Sequence, residues 1–288
     1  MITGSVFYRF FDKLSGIIPM LIFVMLLLTF SKLSPRKIRL SPLHAWLVVI
    51  QVIGSISVYF ALVSFDKVLA ESALICILAP TATSAAVVTG MLGGSIASLT
   101  TYTLICNVMV AIFGPLFFTL IGSHADMTFI ESFLSICIKV LPLLILPLII
   151  AWTLQKFTPK IHKKVTSLHG LAFYIWTLAL TIVTGKTLSY LINQENPNIG
   201  RELLIAGTSL IICVTQFLVG RRIGKKYKTT IAGGQALGQK NTVLAIWMAQ
   251  SFLSPVSSLG PAAYVLWQNS INSWQLWRRR KRQNELYG

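Results

Sequence analysis

Three groups of polar residues interrupt apolar stretches of this sequence, and one group contains a lysine. Lys240 lies between Gln239 and Asn241, twelve residues after Lys228 and fourteen before Ser254. On a helical path it is roughly 18 to 21 Å from either end of the stretch, beyond the reach of a lysine side chain. A charge at that depth in a membrane costs at least about 2.5 kcal/mol, and such residues commonly mark functional sites. We therefore predict that Lys240 binds an anion or replaces a cation, with bonding to protein carbonyls as the structural alternative.

The other two groups carry hydroxyl and amide side chains. Thr83 and Ser84 follow Pro80, whereas Thr103 and Asn107 are four residues apart and so share one face of a helix. A polar side chain in a membrane helix often bonds only a neighbouring helix, and that alternative stays open for each residue. With the lysine group they form a candidate site for a small organic anion: Thr83, Ser84, Thr103, Asn107, Gln239, Lys240 and Asn241.

The cysteines and histidines do not have the spacing of a metal site. The four cysteines lie inside apolar runs without C-x-x-C spacing, and the four histidines lie at or near the ends of such runs. We predict no disulfide, no metal and no cofactor. No Asp, Glu or His is predicted at the depth of Lys240, where an acid or base would be needed, so the sequence argues against an intramembrane enzyme.

The elements that position these groups are predicted membrane helices. Of the 288 residues 55% are hydrophobic and 11% charged, and the mean hydropathy is +0.73, whereas about 25% of residues are charged in soluble proteins. A membrane-spanning helix needs roughly 20 apolar residues. The sequence therefore predicts one all-α membrane domain over residues 1–288, with nine spans at about 16–33, 43–64, 69–90, 95–121, 132–155, 167–192, 201–220, 229–254 and 257–277.

Basic residues alternate between the two sides of this nine-span arrangement. Four segments on one side hold 18 of the 25 Lys and Arg, whereas seven of the eight acids lie on the other side. Because cytoplasmic loops are enriched in Lys and Arg, we predict an outside N-terminus and a cytoplasmic C-terminus, in a bacterial inner membrane. Loops facing anionic lipid explain the net charge of +17 without nucleic-acid binding. The basic residues are Lys32, Arg36, Lys37, Arg39, Lys156, Lys160, Lys163, Lys164, Arg221, Arg222, Lys225, Lys226, Lys228, Arg278, Arg279, Arg280, Lys281 and Arg282.

Two predicted spans contain helix-breaking residues near their middle. Span 69–90 contains Pro80, and span 229–254 contains three glycines, the last of which is Gly238. Proline removes a backbone donor and glycine weakens a helix, so both segments should unwind and meet near these residues. The two spans run in opposite directions, as in the inverted repeats with discontinuous helices from which secondary transporters build their sites. The alternative is that both residues merely kink packed helices.

These two segments resemble the bile acid:sodium symporter family. The first broken helix of that family has a proline followed by small and polar residues, similar to 79–84 here, and the second has a Gly, Gln, Asn, Leu-Ala pattern similar to 236–245. The resemblance implies a core domain with two crossing unwound helices and a smaller panel domain. Spans 16–33, 132–155 and 167–192 would form the panel, and the other six spans the core.

The sequence departs from the family at its sodium ligands. The family's acidic ligand falls on Ala236, its Ser-Asn pair falls on Ala85 and Ala86, and one hydroxyl ligand falls on Leu99, while Thr103 is retained. The resemblance thus implies a secondary transporter that moves a small organic anion by alternating access without sodium. A non-transporting sensor or receptor on the same fold and a sodium-coupled symporter remain the alternatives, and the oligomeric state is left open.

Overall fold

The computed structural model describes residues 1–33, 38–122, 127–194 and 197–287, and these residues form helices joined by short connections. Arg36 and Lys37, which belong to the first basic segment, lie outside the described residues, as do Asp126 and Glu195 on the acidic side. The α-helices within the described ranges are α1 Ile2–Val6, α2 Tyr8–Lys13, α3 Ile18–Phe30, α4 Pro42–Leu62, α5 Lys67–Leu78, α6 Ala85–Met91, α7 Ile96–Ile121, α8 Phe129–Phe157, α9 Pro159–Ser167, α10 Leu171–Ile192, α11 Ile199–Lys226, α12 Thr230–Gly238, α13 Thr242–Phe252 and α14 Leu259–Tyr287.

Five of these helices are long and apolar enough to cross a membrane: α4, α7, α8, α10 and α11. Two shorter apolar helical segments, Ser15–Phe30 and Thr242–Phe252, overlap predicted spans. The predicted class of all-α membrane protein is confirmed at this level. The predicted spans 69–90 and 229–254 are each divided into two helices, α5 with α6 and α12 with α13.

Several helices extend beyond the apolar stretches that predicted them. Helix α11 continues to Lys226, and α14 continues through the basic tail to Tyr287. The basic segment after residue 157 forms a separate helix, α9, and residues 2–13 form two short helices that hydropathy did not predict. Hydropathy marks only the membrane-embedded part of a helix, whereas Lys and Arg favour helix formation in water as well.

The helices pack in one continuous arrangement. Helix α3 packs against α8 and α10, and α1 and α2 pack on α10; α4 packs against α5, and α11 packs against α5, α12 and α14. Helix α8 also packs against α7, which precedes it in the chain, and α13 touches both α3 and α10.

Segments predicted on the outer side contact one another. The Arg201 guanidinium lies 4.0 Å from the Asp66 carboxylate, and the backbone N–H of Ser254 donates to Glu71 at 2.8 Å. Glu71, placed by the sequence among the charges of this side, is only 1% exposed. Its buried carboxylate accepts this bond from the segment after α13 and lies 3.9 Å from the Lys67 ammonium.

Segments predicted on the inner side also contact one another. His44 Nε2 lies 3.0 Å from the Ser98 hydroxyl, which joins the starts of α4 and α7. Arg221 donates to Gln275 at 2.8 Å, which joins the end of α11 to α14. These contacts link segments that are far apart in the sequence.

Candidate functional site

Both predicted helix breaks are present. Helix α5 ends at Leu78, and the following Ala79 is extended, with φ −47° and ψ 140°. Helix α12 ends at Gly238, and Gln239 is likewise extended, with φ −102° and ψ 101°. Proline cannot donate to the preceding turn, which explains why α5 does not continue through Pro80.

The two breaks bind each other through their backbones. The N–H of Asn241 donates to the carbonyl of Pro80 at 2.7 Å, and the N–H of Ala82 donates to the carbonyl of Gln239 at 2.8 Å. Between these bonds Thr81 and Lys240 form an antiparallel bridge. The prediction that the broken helices meet near Pro80 and Gly238 is confirmed, and the bridge shows that the segments run in opposite directions there.

Lys240 is buried in this crossing, with 1% of its surface exposed. Its Nζ donates to the carbonyl of Ile77 at 2.7 Å, in the last turn of α5, where the helix dipole favours a cation. The Gln268 side chain makes two bonds to the backbone of Lys240. Its Oε1 accepts from the N–H at 2.8 Å, and its Nε2 donates to the carbonyl at 3.3 Å. Within the described part of the chain no carboxylate pairs with this ammonium.

Side chains from other helices satisfy the carbonyl end of α5. A helix leaves its last four carbonyls without intrahelical partners. Gln51 in α4 donates to the carbonyls of Leu78 and Ala79 at 2.7 and 2.8 Å, and Gln216 in α11 donates to that of Cys76 at 3.2 Å. With the lysine on Ile77, every carbonyl from 76 to 79 therefore has a side-chain donor.

Each of these glutamines is joined to a tyrosine on a further helix. Tyr102 in α7 donates to Gln51 Oε1 at 2.5 Å. Gln216 donates to the Tyr264 hydroxyl at 3.1 Å, and that hydroxyl donates to the carbonyl of Gly238 at 2.9 Å, the end of α12. Two Gln–Tyr pairs thus flank the crossing, one from α4 and α7 and one from α11 and α14.

Sequence reasoning missed the two Gln–Tyr pairs and Gln268. A signal was available, because Gln51 and Gln216 are each the only amide side chain in their predicted spans. An isolated amide in an apolar helix indicates an interhelical hydrogen bond.

The predicted site residues separate into two sets. Gln239 donates to the Ser84 hydroxyl at 3.0 Å, so these two residues lie at the crossing with Lys240 and Asn241. Thr83, in the same break, is partly exposed. The hydrogen bonds of Thr103 and Asn107 run within α7: Thr103 donates to the carbonyl of Leu99 at 3.0 Å, and Asn107 donates to that of Thr103 at 2.8 Å. Their predicted shared face is confirmed.

Several buried polar atoms have no partner among the described residues: Gln239 Oε1, Asn241 Nδ2 and Thr242 Oγ1 at the crossing, and Asn107 Oδ1 in α7. Most buried polar atoms in proteins are hydrogen-bonded. Asn241 Nδ2 and Thr242 lie at the start of α13, whose first N–H groups favour an anion. The ammonium and these donors give the crossing the chemistry of an anion site, while the two amide oxygens can accept a bond from a ligand hydroxyl or N–H.

The described residues do not bring three His, Cys, Asp or Glu side chains into a metal-binding group. The four cysteines are unpaired, and three of them, Cys76, Cys106 and Cys213, are buried within electrostatic range of Lys240. The Cys106 thiol donates to Gln51 Oε1 at 3.3 Å.

A comparison with models of known protein families finds no match, and a comparison with curated proteins finds none either.

Proposed function

We propose that this protein is a secondary transporter that moves a small organic anion by alternating access, without sodium. The observation that carries the proposal is the crossing of two oppositely directed broken helices around Lys240, which has no carboxylate partner in the described structure. Unwound backbone deep in a membrane protein is tolerated where it is buried or lines a cavity. Secondary transporters use such breaks to bind substrates.

Two features support nine crossings related by an inverted repeat. The contacts Arg201–Asp66 and Glu71–Ser254 join predicted outer segments, and His44–Ser98 joins predicted inner segments, as a chain crossing nine times requires. In addition, α4 and α7 hold one Gln–Tyr pair beside the broken helix that begins with α5, and α11 and α14 hold a second pair beside the one that begins with α12. An inverted repeat would make these two sets of helices equivalent.

The packing supports a panel of α3, α8 and α10 and a core formed by the remaining spans. The panel and core meet where α8 packs against α7 and where Gln250 of α13 donates to Thr187 of α10 at 2.9 Å, with the Thr187 hydroxyl 3.5 Å from that of Ser258. Movement of one group against the other would break these bonds and change the packing of α8 on α7. In the present arrangement Gln239, Lys240 and Asn241 are buried, so access to the site requires such a movement.

Among the residues that the structure describes, no acid lies at the crossing, which supports sodium independence. Sodium and other hard cations bind oxygen ligands with negative charge, whereas position 236 is an alanine whose carbonyl accepts a bond from the Thr81 hydroxyl at 2.8 Å. The Lys240 ammonium already occupies the carbonyl of Ile77. A fixed positive charge at this place favours an anionic substrate and disfavours a second cation.

The test begins with a metabolite screen by thermal shift, since a ligand of the folded state stabilises by RT ln(1 + [L]/Kd). Counterflow of the best anion is then measured in proteoliposomes with sodium, potassium or choline. We expect equal flux in all three salts and loss of flux in Lys240→Gln. The matched control is Lys139→Gln, because Lys139 is an exposed lysine of another span. Strict sodium dependence would refute the proposal, and binding without counterflow would favour a sensor or receptor.

The proposed orientation has its own test. In a protein with Cys137 replaced by serine, a cysteine at Met127 should react with an impermeant maleimide added outside cells, and one at Gln283 should not. Both positions are exposed, and both lie in predicted extramembrane segments. The reverse labelling pattern would reject the nine-span orientation.

A further inference from the structure

The amphipathic helix α9 leaves the axis of the membrane helix that precedes it. Helix α8 ends at Phe157, and the next residue, Thr158, has φ −134° and ψ 67°, outside the helical region. Pro159 then starts α9 in the first helical position, where proline is well tolerated. Thus α8 and α9 are two helices in different directions.

The side chains of α9 form three separate faces. One face binds protein, because His162 Nε2 donates to the carbonyl of Ser31 at 2.8 Å and the Thr166 hydroxyl donates to the same carbonyl at 3.4 Å. This carbonyl belongs to the residue that caps α3, so α9 closes the end of that helix. The orientation of α9 is therefore fixed relative to α3.

The second face is apolar and turned away from the protein. Ile161 in α9 and Leu168 directly after it are seven residues apart, about two helical turns, and are 52% and 49% exposed. Phe157, the last residue of α8, is 68% exposed beside the start of α9. The third face is basic and carries Lys160, Lys163 and Lys164, which are exposed. The sequence from 155 to 170 contains no acid that could neutralise these lysines.

We propose that α9 lies in the plane of the cytoplasmic membrane surface and binds the head groups of anionic phospholipids. An apolar face beside a row of lysines is the pattern of interfacial helices, which insert the apolar face and attract anionic lipid with the basic one. The protein face on Ser31 leaves the other two faces for lipid. Binding at this surface anchors the end of α3 and thus one side of the proposed panel.

The test measures how deeply α9 sits in the membrane and does not use transport, so its outcome is independent of the proposed function. Ile161→Cys is labelled with an environment-sensitive fluorophore in the Cys137→Ser protein and reconstituted into nanodiscs of phosphatidylcholine, with or without phosphatidylglycerol. We expect phosphatidylglycerol to shift the emission to the blue and to reduce quenching by acrylamide several-fold. High salt should weaken the effect, because it screens surface charge.

Two triple variants with the same change in charge separate α9 from basic residues in general. Lys160, Lys163 and Lys164 are replaced by glutamine in one, and the exposed lysines 225, 226 and 228 in the other. The first should abolish the response to phosphatidylglycerol and the second should retain it. Equal quenching in both lipids, or equal loss in both variants, would overturn the proposal. If a soluble protein from the same cell, and not phosphatidylglycerol, protects the fluorophore from acrylamide, the apolar face binds a protein partner. That result would also overturn the proposal.

Discussion

The break between α5 and α6 and the break between α12 and α13 meet at one point, but they are built differently. The first spans six residues, 79–84, and its last part is open, with Ser84 exposed. The second spans three residues, 239–241, all of them buried. The first contains no charged residue, and the second contributes Lys240.

The helix ends at the two breaks also receive different donors. The end of α5 receives an ammonium and two glutamine amides, whereas the end of α12 receives the Thr81 and Tyr264 hydroxyls and the N–H of Ala82. All donors at the second end are neutral. The charge carried by the second broken helix therefore stabilises the end of the first, and the first returns only neutral donors to the second.

The largest stability effect is expected from the glutamines. In Gln51→Leu three groups lose their partner: the carbonyls of Leu78 and Ala79 and the Tyr102 hydroxyl. In Gln216→Leu only the carbonyl of Cys76 loses its donor, because Tyr264 still donates to the carbonyl of Gly238. Each buried group left without a partner costs about 1 to 3 kcal/mol. We expect Gln51→Leu to lower the unfolding temperature in detergent clearly more than Gln216→Leu. Equal effects would mean that the two pairs support the crossing equally.

The next effect tests how closely the second break is packed. A Cβ at Gly238 would lie 2.4 Å from the ring of Phe217 in α11, so Gly238→Ala forces the two helices apart. Overpacking of this kind costs about 1 to 3 kcal/mol. Gly207→Ala, in the same helix as Phe217, meets no atom within 4 Å and should be neutral or stabilising, since alanine favours a helix. Thermal unfolding of both variants checks the prediction, and a stable Gly238→Ala protein would contradict the close approach of α11 to the break.

A smaller difference is expected between the two tyrosines. Tyr264→Phe removes the donor to the carbonyl of Gly238, a cost of about 1 to 3 kcal/mol if that carbonyl stays dry. Tyr102→Phe should cost less, because Gln51 Oε1 still accepts a hydrogen bond from the Cys106 thiol at 3.3 Å. Unfolding temperatures measured side by side give the order. The opposite order would show that the Tyr102–Gln51 bond stabilises the protein more than the bond from Tyr264 to Gly238.

The sequence predicted the breaks because their causes are local. Pro80 lacks an N–H, and the glycines before Gly238 weaken α12, so both interruptions could be inferred without knowledge of the fold. The depth of Lys240 followed from counting residues along a helix. These inferences did not depend on which helices are neighbours.

The partners of the crossing depend on neighbours and were not predicted. That Gln51 would bond α5 and Tyr102, or that Gln268 would bond the Lys240 backbone, follows from how α4, α7 and α14 pack, which hydropathy does not specify. The same reason explains Glu71, whose burial comes from a contact with the distant Ser254. Helices such as α9, outside the membrane, were also missed because their residues are not apolar as a group.

The smallest stability effect is expected at the open part of the first break, where Ser84→Ala removes the acceptor for Gln239 Nε2. Ser84 is exposed, so water can take the place of its hydroxyl, and the free energy of unfolding should change by less than about 1 kcal/mol. If Ser84 and Gln239 belong to the anion site, however, the same variant should weaken the thermal shift produced by the best anion, because Gln239 then loses the bond that orients its amide. Thr128→Ala, at the exposed cap of α8, is the matched control, since it also removes a hydroxyl from a helix start but lies away from the crossing. Unchanged anion binding in Ser84→Ala would remove the first break from the site and leave Lys240 and the start of α13 as its only anion-binding part.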